Sequence, residues 1–275
     1  MAQYGSRATG RKSVIAFLLT TFLLSAIVYV FAAISEVFRG AAYVFLMWAP
    51  GLAALITMRL FGRSWRELGL RFGRPRYLLL SLALPIGVST VAYGFAWVAG
   101  LAGVDREALV GKAPYLVFLA TLGLVFSTVE SLGEELGWRG FLVPQLARTY
   151  SFTTTAFISG IVWSVWHYPA VFFLAFHGEA PRPFEIASLT LQLMAGSFVL
   201  AWLQLKSGSV WPAAILHGTH NLYVQTFLDP VTTDTGITEY VVGEYGLALG
   251  IAWTAIAWVC WRLRGRLPRA PKQTS

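Results

Sequence analysis

Eight long apolar stretches, separated by short polar segments, organise the chain: residues 14–34, 41–60, 77–101, 115–142, 152–176, 186–205, 210–228 and 245–261. A helix that crosses a hydrocarbon core about 30 Å thick needs roughly 20 mainly apolar residues, because lipid offers no partner to its backbone polar groups. The pattern predicts an all-α, polytopic membrane bundle of eight transmembrane helices. The first run follows Arg7, Arg11 and Lys12 and is longer than the ~7–15 apolar residues of a signal peptide, so it reads as an uncleaved first helix. The seventh is the weakest, since it carries His217, His220 and Asn221.

Composition agrees with lipid as the solvent. Hydrophobic residues make up 56% of the chain and charged ones only 12%, with a mean hydropathy of +0.62, a balance foreign to water-soluble globular proteins. The net charge of +8 would suggest nucleic acid in a soluble protein. Here the basic residues sit between apolar runs and at the two ends, which points to membrane orientation and to no nucleic-acid partner. With the amino terminus inside, the inner segments hold Arg7, Arg11, Lys12, Arg63, Arg66, Arg71, Arg74, Arg76, Arg148, Lys206 and the tail from Arg262 to Lys272, whereas acids such as Glu179, Asp229, Asp234, Glu239 and Glu244 fall outside. Both termini are thus expected in the cytoplasm, with the cell membrane as the location. Residues 62–76 mix Trp65, Leu68, Leu70 and Phe72 with five arginines and read either as a topology loop or as a segment lying on the inner leaflet. The single cysteine, Cys260, excludes an intrachain disulfide and reads as a packing residue. Three parts are expected: helices one to three over 1–113, a core of helices four to seven over 114–228, and an outer loop, last helix and basic tail over 229–275.

Ionisable side chains inside a span cost roughly 2.5–3.5 kcal/mol each on insertion scales, so a cluster of them is a functional signal. The fourth stretch carries Glu130, Glu134, Glu135 and Arg139, the fifth His167, and the seventh His217, His220 and Asn221. Glu135 and Arg139 are four apart and can pair, while Glu134 points about 100° away. His217 and Asn221 share a face and can converge on one oxygen atom. At about 1.5 Å rise per residue, these groups reach one level, expected as a polar cavity opening to the cytoplasm. A water held between a carboxylate and an imidazole can be activated by general-base catalysis. Attack on a peptide carbonyl then needs preorganised donors for the oxyanion.

Three motifs in order, Glu134-Glu135-x-x-x-Arg139, an aromatic-x-x-x-His from Trp163 to His167, and His217-x-x-x-Asn221, resemble those of the type II CAAX prenyl endopeptidases and bacteriocin-processing enzymes, the CPBP or Abi family. The resemblance covers roughly 114–227. It implies an eight-helix intramembrane endopeptidase in which Glu134 and His167 activate water, His217 and Asn221 stabilise the oxyanion, and Glu135 and Arg139 give structural support. The family's second motif usually begins with Phe where this chain has Trp163. No cofactor is favoured, and the substrate is expected to be a membrane-associated peptide or protein.

Rival readings stay open. Enzymes of this type are often labelled metalloproteases, and two His with one Glu form a known catalytic zinc set, so zinc on Glu134, His167 and His217 is the mechanistic alternative. A non-enzymatic immunity or transport protein is the alternative from another class, since buried Glu and His also serve in proton relays. Trp163, Trp166 and Trp211 read as packing or interfacial aromatics, His177 as an interfacial residue, and His220 has no assigned role.

Overall fold

The computed structural model describes residues 7–173 and 178–268; His177, Arg269 and Lys272 lie outside them. The described chain is helical almost throughout. Helices α1 (Arg7–Ile34), α2 (Glu36–Leu60) and α3 (Pro75–Val98) come first. They are followed by the long helical run α4 (Arg106–Ala147), then α5 (Phe152–Phe173), α6 (Arg182–Ser207), α7 (Trp211–Asn221) and α8 (Leu247–Arg262). Each apolar stretch overlaps one of these helices, and the chain is an integral, multi-pass membrane protein. Among the described residues, five helices are long and apolar enough to cross a membrane, on α1, α2, α3, α4 and α6. The expected count of eight crossings is therefore met by five. α8 has 16 residues, and α7 continues beyond Asn221 only through a wider π turn, Leu222–Leu228.

Local chemistry sets the breaks. Ser35 separates α1 from α2 and its hydroxyl accepts from the Phe38 N–H. Gly208, with φ +68, ends α6 in the left-handed conformation that a side chain disfavours. Pro75 opens α3 at its first position, where a missing N–H costs nothing. One feature departs from the all-helical expectation: Gly103–Val104 and Thr232–Thr233 form a two-residue antiparallel ladder that ties the outer loop to the turn after α3.

The outer surfaces are apolar. Leu19, Leu23, Val91, Val98 and Val117 are all exposed, as expected where lipid is the neighbour. Inside, α4 crosses α2 at very short range because both are cut to glycine there. A Cβ on Gly133 would lie 2.6 Å from the Met47 carbonyl oxygen, and one on Gly137 2.5 Å from Pro50. On its other side α4 meets Gly218 of α7, where a Cβ would lie 2.7 Å from the Thr128 nitrogen, and the Ser127 hydroxyl donates to the Gly218 carbonyl at 2.8 Å. The helix that carries the doubled glutamate is thereby clamped between α2 and α7. A π turn, Leu136–Leu142, follows Glu135 directly, and turns of that kind are frequent at functional sites.

Candidate active site

Glu134 and Glu135 leave α4 in different directions, as helical spacing predicts, and find different partners. Glu135 is fully buried and its Oε1 accepts from Arg139 Nη1 at 2.9 Å. The same oxygen also accepts from His217 Nδ1 at 3.0 Å. Arg139 also donates from Nη2 to Ser197 Oγ at 3.2 Å and lies 3.9 Å over the Trp163 ring. The expected ion pair is present, and it reaches further than spacing within one helix could indicate: it orients an imidazole on α7.

Glu134 turns towards α5, where Trp163 Nε1 donates to its Oε2 at 2.8 Å. One turn on, His167 Nδ1 bonds the Trp163 carbonyl at 2.8 Å. A carbonyl only accepts, so Nδ1 carries the proton and the neutral ring keeps a lone pair on Nε2. Trp163 thus anchors both groups, the carboxylate through its indole and the imidazole through its backbone. The packing role suggested by its aromatic character is incomplete, because the indole N–H makes a bond that Phe lacks the donor for. Trp166 bonds Ser25 Oγ at 2.8 Å, while Trp211 bonds the Leu70 carbonyl and stacks on Phe72 at the basic end of the bundle.

Glu134, His167, His217 and Asn221 line one cavity of about 310 Å³. Glu135 and Arg139 stand behind its wall. Asn221 shares the lining with Tyr43 of α2, a neighbour without a signal in the sequence, since a tyrosine in an apolar run reads as interfacial. His220 also reaches the cavity and meets Trp253 edge-on. The lining continues past Asn221 to Gln225 and Glu244, towards the end of α7 opposite the basic loop, whereas the sequence places the mouth at the basic end. Gln225 Nε2 donates to Glu244 at 3.2 Å. Burial and the neighbouring Asp229 push the Glu244 carboxyl up to about 7.

Among the described residues, no three His, Cys, Asp or Glu side chains gather at metal-ligand spacing, Glu134, His167 and His217 included.

Comparison with known proteins bears on the same helices. Residues 112–223 match the family model described as type II CAAX prenyl endopeptidase Rce1-like. This segment resembles that family. A CAAX prenyl protease 2 of Methanococcus maripaludis is 30% identical over 133 residues, 45% of this chain and 44% of that protein. The chain therefore spans less than half the length of the curated relative it matches. The matched segment contains every residue of the three motifs, and Gln225 and Glu244 lie beyond it.

Proposed function

We propose that the protein is an intramembrane endopeptidase that hydrolyses a peptide bond of a membrane-associated substrate, a prenylated tail being the class suggested by the relative's name. The observation that carries this reading is the convergence of Glu134, His167, His217 and Asn221, from three helices, on one cavity. Water sits between the Glu134 carboxylate and His167 Nε2 and gives its proton to Glu134 as it attacks the carbonyl carbon. Trp163 holds both groups in register. Asn221, beside Tyr43, and His217, an imidazolium whose Nδ1–H donates to Glu135 and whose Nε2–H is left for the substrate, donate to the oxygen as it becomes negative, where one such donor is worth on the order of 10²–10³ in rate. The proton on Glu134 then passes to the leaving amine. The apolar and aromatic side chains of the lining lower the local dielectric and strengthen these interactions.

The test is cleavage of one membrane-presented peptide by purified protein, in a strong chelator, which the metal-free mechanism expects to be without effect. Glu134→Gln should abolish cutting at unchanged yield. Asn221→Ala should slow it by about 10²–10³. Glu135→Gln should lower stability first, by roughly 3–5 kcal/mol, because it leaves Arg139 buried without its partner. A Glu134→Gln protein that cuts as fast as the parent would sink the mechanism, and about one zinc per chain lost with His167→Ala would favour the metal route.

A further inference from the structure

A second cavity, of about 220 Å³, lies at the basic end of the bundle, between the first turns of α1 and the end of α4. Its wall is made by Arg11 and Val14 from α1, Gln145 from α4, and Arg148, Thr149 and Tyr150 just beyond. Among the described residues, basic side chains outnumber acidic ones here. Arg63 and Arg148 share one acid, Glu67, at 3.1 and 2.8 Å, and Arg63 also donates to Ser13 Oγ at 3.1 Å, two residues along α1 from Arg11. Two guanidiniums thus stand around a single carboxylate, and Arg11 lies on the wall of the same cavity. Burial alone would raise the Glu67 carboxyl, yet Arg63 and Arg148 hold it below the usual carboxylate range.

Two further observations point to a ligand. Gln145 is 7% exposed and lines this cavity, but its Oε1 has no hydrogen-bond partner. The orphan atom is an acceptor that an anion does not satisfy, and it is the NH₂ of the same side chain that supplies donors on this wall. Beyond the cavity, Ile15, Leu19 and Phe22 follow Arg11 at spacings of four, four and three. They form one exposed apolar stripe along α1.

We propose that this niche binds a phosphate-bearing anion, supplied by the headgroup of an anionic phospholipid whose acyl chain lies along the α1 stripe. Guanidinium donors match phosphate oxygens in geometry as well as charge, and basic pockets beside membrane helices suit such headgroups. The site is separate from the proposed catalytic cavity and does not rest on it.

The full-length protein, purified in neutral detergent, is mixed with phosphatidylglycerol, phosphatidylcholine or inorganic phosphate. Bound lipid is read by native mass spectrometry and stability by thermal unfolding. Phosphatidylglycerol should be retained in preference to phosphatidylcholine and should raise the melting temperature. Arg11→Gln should weaken its retention by about 5-fold, the value of one basic side chain near an anionic surface. Arg11→Lys should keep most of the effect. Arg74→Gln removes the same charge from the exposed loop and should change nothing. Inorganic phosphate that displaces the lipid and stabilises equally well would uphold the anion site and make free phosphate its source. Equal retention of the two lipids, or an equal loss in Arg74→Gln and Arg11→Gln, would overturn the proposal.

Discussion

Trp163 is the side chain on which the proposed chemistry turns, although it would touch no reacting atom. It fixes Glu134 through its indole N–H, His167 through its carbonyl and Arg139 through its ring. Trp163→Phe, the residue usual at this place in the family the motifs resemble, keeps an aromatic ring and removes only the donor. A hydrogen bond to a charged group is worth roughly 1.5–3 kcal/mol, so single-turnover cleavage should slow about 10-fold or more. An unchanged rate would mean that Glu134 is positioned by something else. Glu244 poses the opposite problem, a carboxyl kept at a cost. It faces Asp229, His217, Glu134 and Gln225, and its pKa rises from an ordinary 4.5 to about 7. In the unfolded chain it ionises from about pH 4.5, while in the folded protein it holds its proton to about pH 7. Folding stability therefore falls as pH rises across that window, by roughly 3 kcal/mol in all. Glu244→Gln should raise the melting temperature at pH 8 and leave it unchanged at pH 4.5. Equal effects at both pH values would contradict this account.

At the level of elements, the position of Glu134 depends on how closely α4 can approach α2. The helix backbones touch at Gly133 and Gly137, which leaves no room for a side chain. Gly137→Val would force α4 outward, and overpacking of this kind costs typically 1–3 kcal/mol. Thermal stability and cleavage should fall together, since the same displacement draws Glu134 away from Trp163. Gly87→Ala on α3 is the control, because no atom lies within 4 Å of the added Cβ. If both variants behave alike, the close crossing does not hold the site.

For the whole molecule, the asymmetry of basic residues makes a claim about sidedness. The loop at 62–76 packs on the turn between α6 and α7, with Val210 N–H bonded to the Gly69 carbonyl at 2.9 Å, so these basic segments belong to one end of the bundle. Cysteines introduced at Ser64 and at Asp234, both exposed, should react with impermeant reagents from opposite sides of a sealed membrane, Ser64→Cys from the cytoplasm. The native thiol is buried and should stay silent. Labelling of both from one side would remove an odd number of crossings between α2 and the outer loop and would overturn the assigned orientation.

Hydropathy alone was enough for the all-helical membrane class, and spacing within one helix was enough for the Glu135 pair with Arg139 and for the divergence of Glu134, because both depend on local geometry. The three motifs also sufficed to place the segment that resembles the Rce1-like family. What no local pattern holds is which helices meet. The bond from Trp163 to Glu134, the bond from His217 to Glu135, the meeting of Asn221 and Tyr43 in the lining and the entry of Glu244 into the cavity wall all join residues far apart in the chain. The extent of the crossings belongs to the same class, since polar cargo makes α7 short of apolar residues while neighbours on both sides enclose it. Tertiary packing decided these, because glycine contacts of a few ångströms between helices, rather than periodicity along any one of them, set which side chains share a cavity.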